Sequence, residues 1–156
     1  MAAMICAPTS TANAASHAEM GIRIYASHSE KCISIPGGSQ TAGIQATQFD
    51  CNPNSWAKRF YVETQNLDGW DNPVVWLRSE SSKLCLAVAG HPEPGKAVVQ
   101  APCSQTHQWS WDKAGRLVYD TLTNTCLAVP HGWKGNNVKL ILWTCNFSRE
   151  QSWGEY

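Results

Sequence analysis

Residues 125–129 read "TCLAV", and the chain writes nearly the same pentapeptide as "LCLAV" at 84–88 and a looser version as "KCISI" at 31–35. A cysteine-led apolar strand that returns three times marks internal repetition, and repeats of this size are supersecondary units that cannot bury an apolar face alone. Extending each copy in both directions gives three units. The first runs over 22–63, "IRIYASHSEKCISIPGGSQTAGIQATQFDCNPNSWAKRFYVE", the second over 74–112 and the third over 117–156. Within each, alternation and turn residues predict four short strands. In the third unit these are 117–119, 126–129, 138–143 and 152–155, punctuated by Pro130-His131-Gly132 and Lys134-Gly135-Asn136-Asn137. The polar insert "TQNLDGWDNP" at 64–73 reads as a surface loop, which absorbs extra length at little entropic cost. Three units packed around a common axis predict one all-β domain.

Composition agrees. The 156 residues are 15% charged, with 8 Trp and 11 Gly, a mix suited to short strands and tight turns. Twelve basic and twelve acidic residues cancel, so no electrostatic footprint for nucleic acid, an anionic membrane or a strongly charged substrate is present. The expected partner is neutral. No segment approaches the roughly 18 apolar residues of a membrane helix, and membrane insertion is not expected.

Residues 1–20, "MAAMICAPTSTANAASHAEM", stand apart from the domain at 21–156. They carry no alternation and read either as the remnant of a secretory signal, with Ala12-Asn13-Ala14 as the small-x-small cleavage pattern, or as a disordered Ala/Ser/Thr-rich leader. The cysteines bear on that choice. Cys6 lies in this segment, and the other six form pairs, Cys32 with Cys51, Cys85 with Cys103 and Cys126 with Cys145, separated by 19, 18 and 19 positions. Cleavage after Ala14 would leave an even set, as a secreted protein requires. Each bridge would contribute about 3 kcal/mol by loop-closure entropy. The alternative is six free cysteines buried as small apolar side chains. None of the spacings suits zinc, and no metal or cofactor is expected.

The threefold unit of about 40 residues, with Cys-Leu-x-Val, a loop glycine, a Val-x-Leu strand running to a second cysteine and a closing Gln-x-Trp, resembles the ricin B-chain-like (R-type) β-trefoil lectins over residues 22–156. The closing motif is intact as Gln151-Ser152-Trp153, and becomes His107-Gln108-Trp109 and Lys58-Arg59-Phe60 in the other repeats. The resemblance implies a β-trefoil with one core aromatic per repeat. It also implies sugar pockets, each built from an aspartate two positions after the first cysteine, an aromatic two positions before the second and a polar residue before the Gln of Gln-x-Trp. The carboxylate would bond two hydroxyls and the ring would pack on the C–H face of a pyranose.

Carried onto this chain, the aspartate position holds Ser34, Ala87 and Ala128, none acidic. The aromatic position holds Phe49, Ala101 and Trp143, and the polar position Ala57, Thr106 and Glu150. The second repeat lacks both main elements, and the first keeps a ring and little else. The third is the candidate pocket, with Trp143 as platform, Glu150 and Gln151 as polar partners, Ala128 at the vacant aspartate position, and the loop residues His131, Trp133, Asn136 and Asn137 nearby. Glu150 is expected to supply the carboxylate that position 128 lacks. In 138–143, Trp143 alternates out of phase with Val138, Leu140 and Leu142, which favours an outward ring over a core one.

The function expected is that of a non-catalytic, secreted lectin-like module that binds a neutral glycan or glycoprotein, with a toxin or enzyme subunit as companion. The alternative is a β-trefoil that has lost sugar binding and acts through protein contacts, as a toxin-accessory or inhibitor-like module. An enzyme is not expected: His17, His28, His91, His107 and His131 are scattered, and no nucleophile elbow, His-Glu-x-x-His or phosphate-binding glycine loop occurs.

Overall fold

The computed structural model describes residues 20–156, so all of the leader 1–20 but its last residue, with Cys6 and the small-x-small pattern, lies outside the described residues. The described chain is all-β, with 40% of the described residues in strands. The first repeat contributes β1 (Ile24–Ala26), β2 (Cys32–Ser34), β3 (Thr47–Phe49) and β4 (Phe60–Leu67). The second contributes β5 (Pro73–Ser79), β6 (Cys85–Val88), β7 (Val98–Ala101) and β8 (Trp109–Trp111). The third contributes β9 (Leu117–Asp120), β10 (Thr125–Ala128), β11 (Val138–Lys139), β12 (Ile141–Thr144) and β13 (Trp153–Glu155). Five 3-10 turns complete the described elements. This is the β-trefoil.

Strand β13 pairs antiparallel with β1, bringing Gly154 opposite Tyr25 and closing the chain on itself. A Cβ on Gly154 would lie 2.8 Å from the Tyr25 ring, so any other residue there requires that ring to move aside. Inside, Phe60, Trp109 and Trp153, the three closing aromatics, are buried in one apolar cluster with Ile33, Leu86 and Leu127 from the cysteine-led strands. The tryptophans do more than fill space. Trp109 Nε1 donates to the Leu86 carbonyl at 2.9 Å and Trp153 Nε1 to the Leu127 carbonyl at 3.0 Å. Each indole satisfies a buried acceptor of the strand that names its own repeat.

The third repeat has two short strands where alternation predicts the single strand 138–143. The ladder breaks at Leu140, whose N–H turns to the Ala46 carbonyl (2.9 Å) and whose carbonyl accepts from the Val98 N–H (3.1 Å). Ala46 N–H donates to the Val98 carbonyl at 2.9 Å, closing a ring of three backbone hydrogen bonds with one member from each repeat. The insert also differs from expectation. Residues 64–73 are not a loop: they lengthen β4 and β5 into a hairpin paired from Phe60↔Ser79 to Leu67↔Pro73, leaving a turn of only 68–72. Disulfides join Cys32–Cys51, Cys85–Cys103 and Cys126–Cys145.

Candidate functional site

In the third repeat, β10 and β12 lie side by side with Ala128 opposite Ile141 and Cys126 opposite Trp143. Leu140 and Leu142 enter the core, which turns Trp143 outward to 49% exposure. Between Trp143 and the 3-10 turn Arg149–Gln151 lies a hollow of about 260 Å³ lined by Ala128, Pro130, His131, Trp143, Asn146 and Glu150, with Gln151 at its edge. The turn is tied to the hollow's floor by the Val129 N–H, which donates to the Glu150 carbonyl at 3.1 Å. The Glu150 carboxylate makes no hydrogen bond or ion pair with the described residues, so its lone pairs are free to accept from a ligand. Ala128 is buried beneath it, contributing a floor but no polar group.

Gln151 is differently placed. Its side chain is buried, Oε1 accepts from the Asn146 N–H and Nε2 donates to the Thr144 carbonyl, both at 2.8 Å. The amide is fully engaged with backbone and fixes the strand end that carries Trp143 and Asn146. Asn146 itself holds no special place in the motif and was not legible as a pocket residue. It reaches the hollow because Gln151 grips its backbone.

The loop residues separate. His131 lines the hollow and packs against Trp133 with ring centroids 5.0 Å apart, whereas Trp133 is exposed outside it. Asn136 bonds Asp50 of the first repeat, donating through Nδ2 to Oδ2 (2.8 Å) and accepting at Oδ1 from the Asp50 N–H (2.9 Å). The hydrogen bonds from Lys31 and Asn136 hold the Asp50 carboxyl below its ordinary range. Asn137 is brought not to the third-repeat hollow but to the first-repeat one, because the Asn137 N–H donates to the Gln48 carbonyl on β3.

That first-repeat hollow is richer than the motif positions imply. It measures about 500 Å³ and gathers Ser34, Phe49, Asn54, Trp56, Lys58 and Asn137. Trp56, on a 3-10 turn, is 64% exposed and escaped the motif comparison because it falls outside the aromatic position. Yet Lys58, at the position equivalent to Gln151, is 8% exposed and sets its ammonium 4.8 Å from the centre of the Phe49 ring. The cation lies over the ring that a sugar would use as its platform. Trp143 has no such cover.

No curated protein matches the chain in sequence. Among solved structures, the designed threefold-symmetric protein ThreeFoil is similar with a TM-score of 0.76 and 20% identity, covering 86% of this chain and 96% of that one. The Rhizoctonia solani agglutinin follows at 0.72 and 13%, covering 88% and 94%. A ricin B-like lectin from Macrolepiota procera, solved in complex with lactose, is similar at 0.68 and 19%, covering 86% and 92%. These likenesses fix the fold. The profile of the Ricin-type beta-trefoil lectin domain matches residues 20–153, and on that match the chain belongs to the ricin-type β-trefoil lectin family.

Proposed function

We propose that this domain is a non-catalytic carbohydrate-binding module whose sugar pocket is the third-repeat hollow. One observation carries the reading: an uncovered indole, Trp143, shares a hollow with an unpaired carboxylate, Glu150, over the small floor residue Ala128. The indole offers a plate for the C–H face of a pyranose, and Glu150 accepts hydroxyl hydrogen bonds from the turn side in place of the absent aspartate. His131 and Asn146 border the sugar. Gln151 acts as a positioning residue, Trp133 lies beyond the first sugar unit, and Asn137 belongs to the first-repeat hollow. The ligand is a neutral glycan or glycoprotein, matching a chain with no net charge. A pocket of this kind binds one sugar with a Kd near millimolar, about −4 kcal/mol. Useful avidity then comes from a second site, an oligomer or a toxin or enzyme partner. The three disulfides fit an oxidising compartment, and the domain is read as secreted.

A second reading, a β-trefoil that binds proteins and not sugars, is favoured by Ser34, Ala87 and Ala128, all small and buried where a carboxylate would face a sugar. A glycan array separates the two. The wild-type domain is expected to bind glycans with neutral terminal hexoses or hexosamines, and Trp143→Ala to abolish binding while shifting Tm by less than about 2 °C, as for a surface change. Binding that survives Trp143→Ala overturns the third-repeat pocket, and silence across the array favours protein contacts.

A further inference from the structure

The hairpin that the insert builds ends in the turn 68–72, "DGWDN", and Trp70 at its tip is 78% exposed. An exposed indole on a loose tip would be unremarkable, but this tip is fixed. The Asp68 carboxylate accepts from the N–H of Trp70 (2.8 Å), from the N–H and Nδ2 of Asn72 (both 3.0 Å) and from Ser110 Oγ on β8. The backbone closes around it, Asp68 N–H to the Asn72 carbonyl at 2.9 Å and Asp71 N–H to the Asp68 carbonyl at 3.1 Å. Burial opposes ionisation of Asp68, but the hydrogen bonds from Ser110 and Asn72 prevail and keep its carboxyl well below the ordinary range. It stays ionised, and the tip stays anchored.

Beside Trp70 opens a cleft of about 260 Å³, the volume of the third-repeat hollow, with Asn72, Asp112, Arg116, Thr121 and Asn124 in its walls. Both acids are already engaged. Asp112 accepts from the N–H groups of Ala114 (3.0 Å) and Arg116 (2.9 Å) and pairs with Arg116 Nε at 2.7 Å. Asp68 and Asp112 against Arg116 leave the wall with one net negative charge, which disfavours an anion, and both carboxylates already accept several protein hydrogen bonds, so a cation finds no unengaged carboxylate. What remains without a hydrogen-bond partner among the described residues is a set of neutral-ligand contacts: the terminal nitrogens of Arg116, whose guanidinium lies 4.3 Å from the centre of the Phe147 ring, the Thr121 hydroxyl, the Asn124 side-chain amide and the side-chain Oδ1 of Asn72. An aromatic plate on an anchored turn, beside unpaired donors and acceptors and with the carboxylates already engaged, matches a hydroxyl-rich ring with one apolar face.

We infer that the Trp70 cleft is a second saccharide subsite, stacking a pyranose on Trp70 and bonding its hydroxyls through Arg116, Thr121 and Asn124. It has no counterpart in the other repeats, since only one inter-repeat hairpin carries the insert, and so it stands outside the threefold set of pockets. Its wall is shared with the first site: Cys145 lines the cleft and its neighbour Asn146 lines the third-repeat hollow. Two weak sites on either side of one strand end would raise avidity within a single chain. The inference rests on the domain being a carbohydrate binder, and its test keeps the two ideas apart.

Label the eight tryptophans with ¹⁵N, assign the indole N–H signals of Trp70 and Trp143 with Trp70→Phe and Trp143→Phe, and titrate lactose, N-acetylgalactosamine and N-acetylglucosamine separately to about 50 mM, well above a millimolar Kd. The expected result is a saturable shift of the Trp70 signal with at least one sugar, retained in Trp143→Ala and lost in Thr121→Ala combined with Arg116→Gln. Movement of Trp143 alone overturns the second subsite and leaves the first standing. A Trp70 shift that disappears in Trp143→Ala also overturns it, being transmitted from the first site. If neither signal moves with any of the three sugars, both sites fall.

Discussion

His131 holds a left-handed backbone conformation, φ 55°, where its counterpart in the first repeat, Gly37, sits at φ 62°. An L side chain there costs on the order of 1 kcal/mol that glycine does not incur. The imidazole occupies the rim of the third-repeat hollow, and strain of this sort persists where a side chain is wanted for contact. His131→Gly is therefore expected to raise stability by roughly 0.5–1 kcal/mol in denaturant unfolding while weakening glycan binding several-fold by calorimetry. A mutant that gains stability and keeps full affinity would remove His131 from the pocket. At this scale the sequence is legible where a side chain's direction follows from local period: the alternation in 138–143 sets the outward phase of Trp143. It is silent on Asn137, whose place depends on a backbone bond to another repeat, and on Lys58, whose cover of Phe49 depends on which way a long side chain folds.

Elements are joined across repeats by two buried glutamines that no motif announces. Gln48 on β3 donates to the carbonyls of Trp133 (2.7 Å) and Gly135 (2.9 Å) in the third repeat, with Ser29 Oγ donating to its Oε1 at 2.9 Å. Gln100 on β7 donates to the carbonyls of Ser39 (2.8 Å) and Thr41 (2.7 Å) in the first, with Ser82 Oγ donating to its Oε1 at 2.7 Å. The third member of the set is Leu142, whose side chain has no donor and which reaches the loop of the second repeat through its backbone alone, its N–H donating to the Lys96 carbonyl at 2.8 Å. In sequence these positions read as Gln, Gln and Leu on strands, and nothing local says that two of them hold distant loops. Gln48→Leu, which copies the third repeat, is expected to cost about 1–3 kcal/mol because it strips loop carbonyls of a buried donor. Its signature in hydrogen exchange should be faster opening confined to 133–137, next to the proposed sugar site, and uniform acceleration would refute a local clamp. The lengthened β4–β5 hairpin is illegible for a related reason: its polar residues suit a strand pair that stands clear of the core as well as they suit a loop.

The whole molecule is stapled within repeats but not between them. Each disulfide closes a loop of 18 or 19 residues inside its own unit. Cohesion between units falls to the aromatic core, where truncating Phe60, Trp109 or Trp153 would cost about 3–5 kcal/mol each, to the Gln48 and Gln100 clamps, and to backbone pairing that crosses repeats, the β1–β13 closure included. The trefoil could be read from sequence because every local signal appears three times in register, so errors in one copy are corrected by the others. The coupling could not, because backbone groups carry it and leave no residue signature: Ala46, Val98 and Leu140 look like ordinary apolar positions. Their ring of hydrogen bonds has a kinetic consequence. Each N–H belongs to a different repeat, yet none can reach solvent until its acceptor, held by the next repeat, lets go. The three amides should therefore exchange with deuterium at a common slow rate governed by global unfolding, and a spread of more than about tenfold, or ~1.4 kcal/mol, among them would mean that the repeats open one at a time.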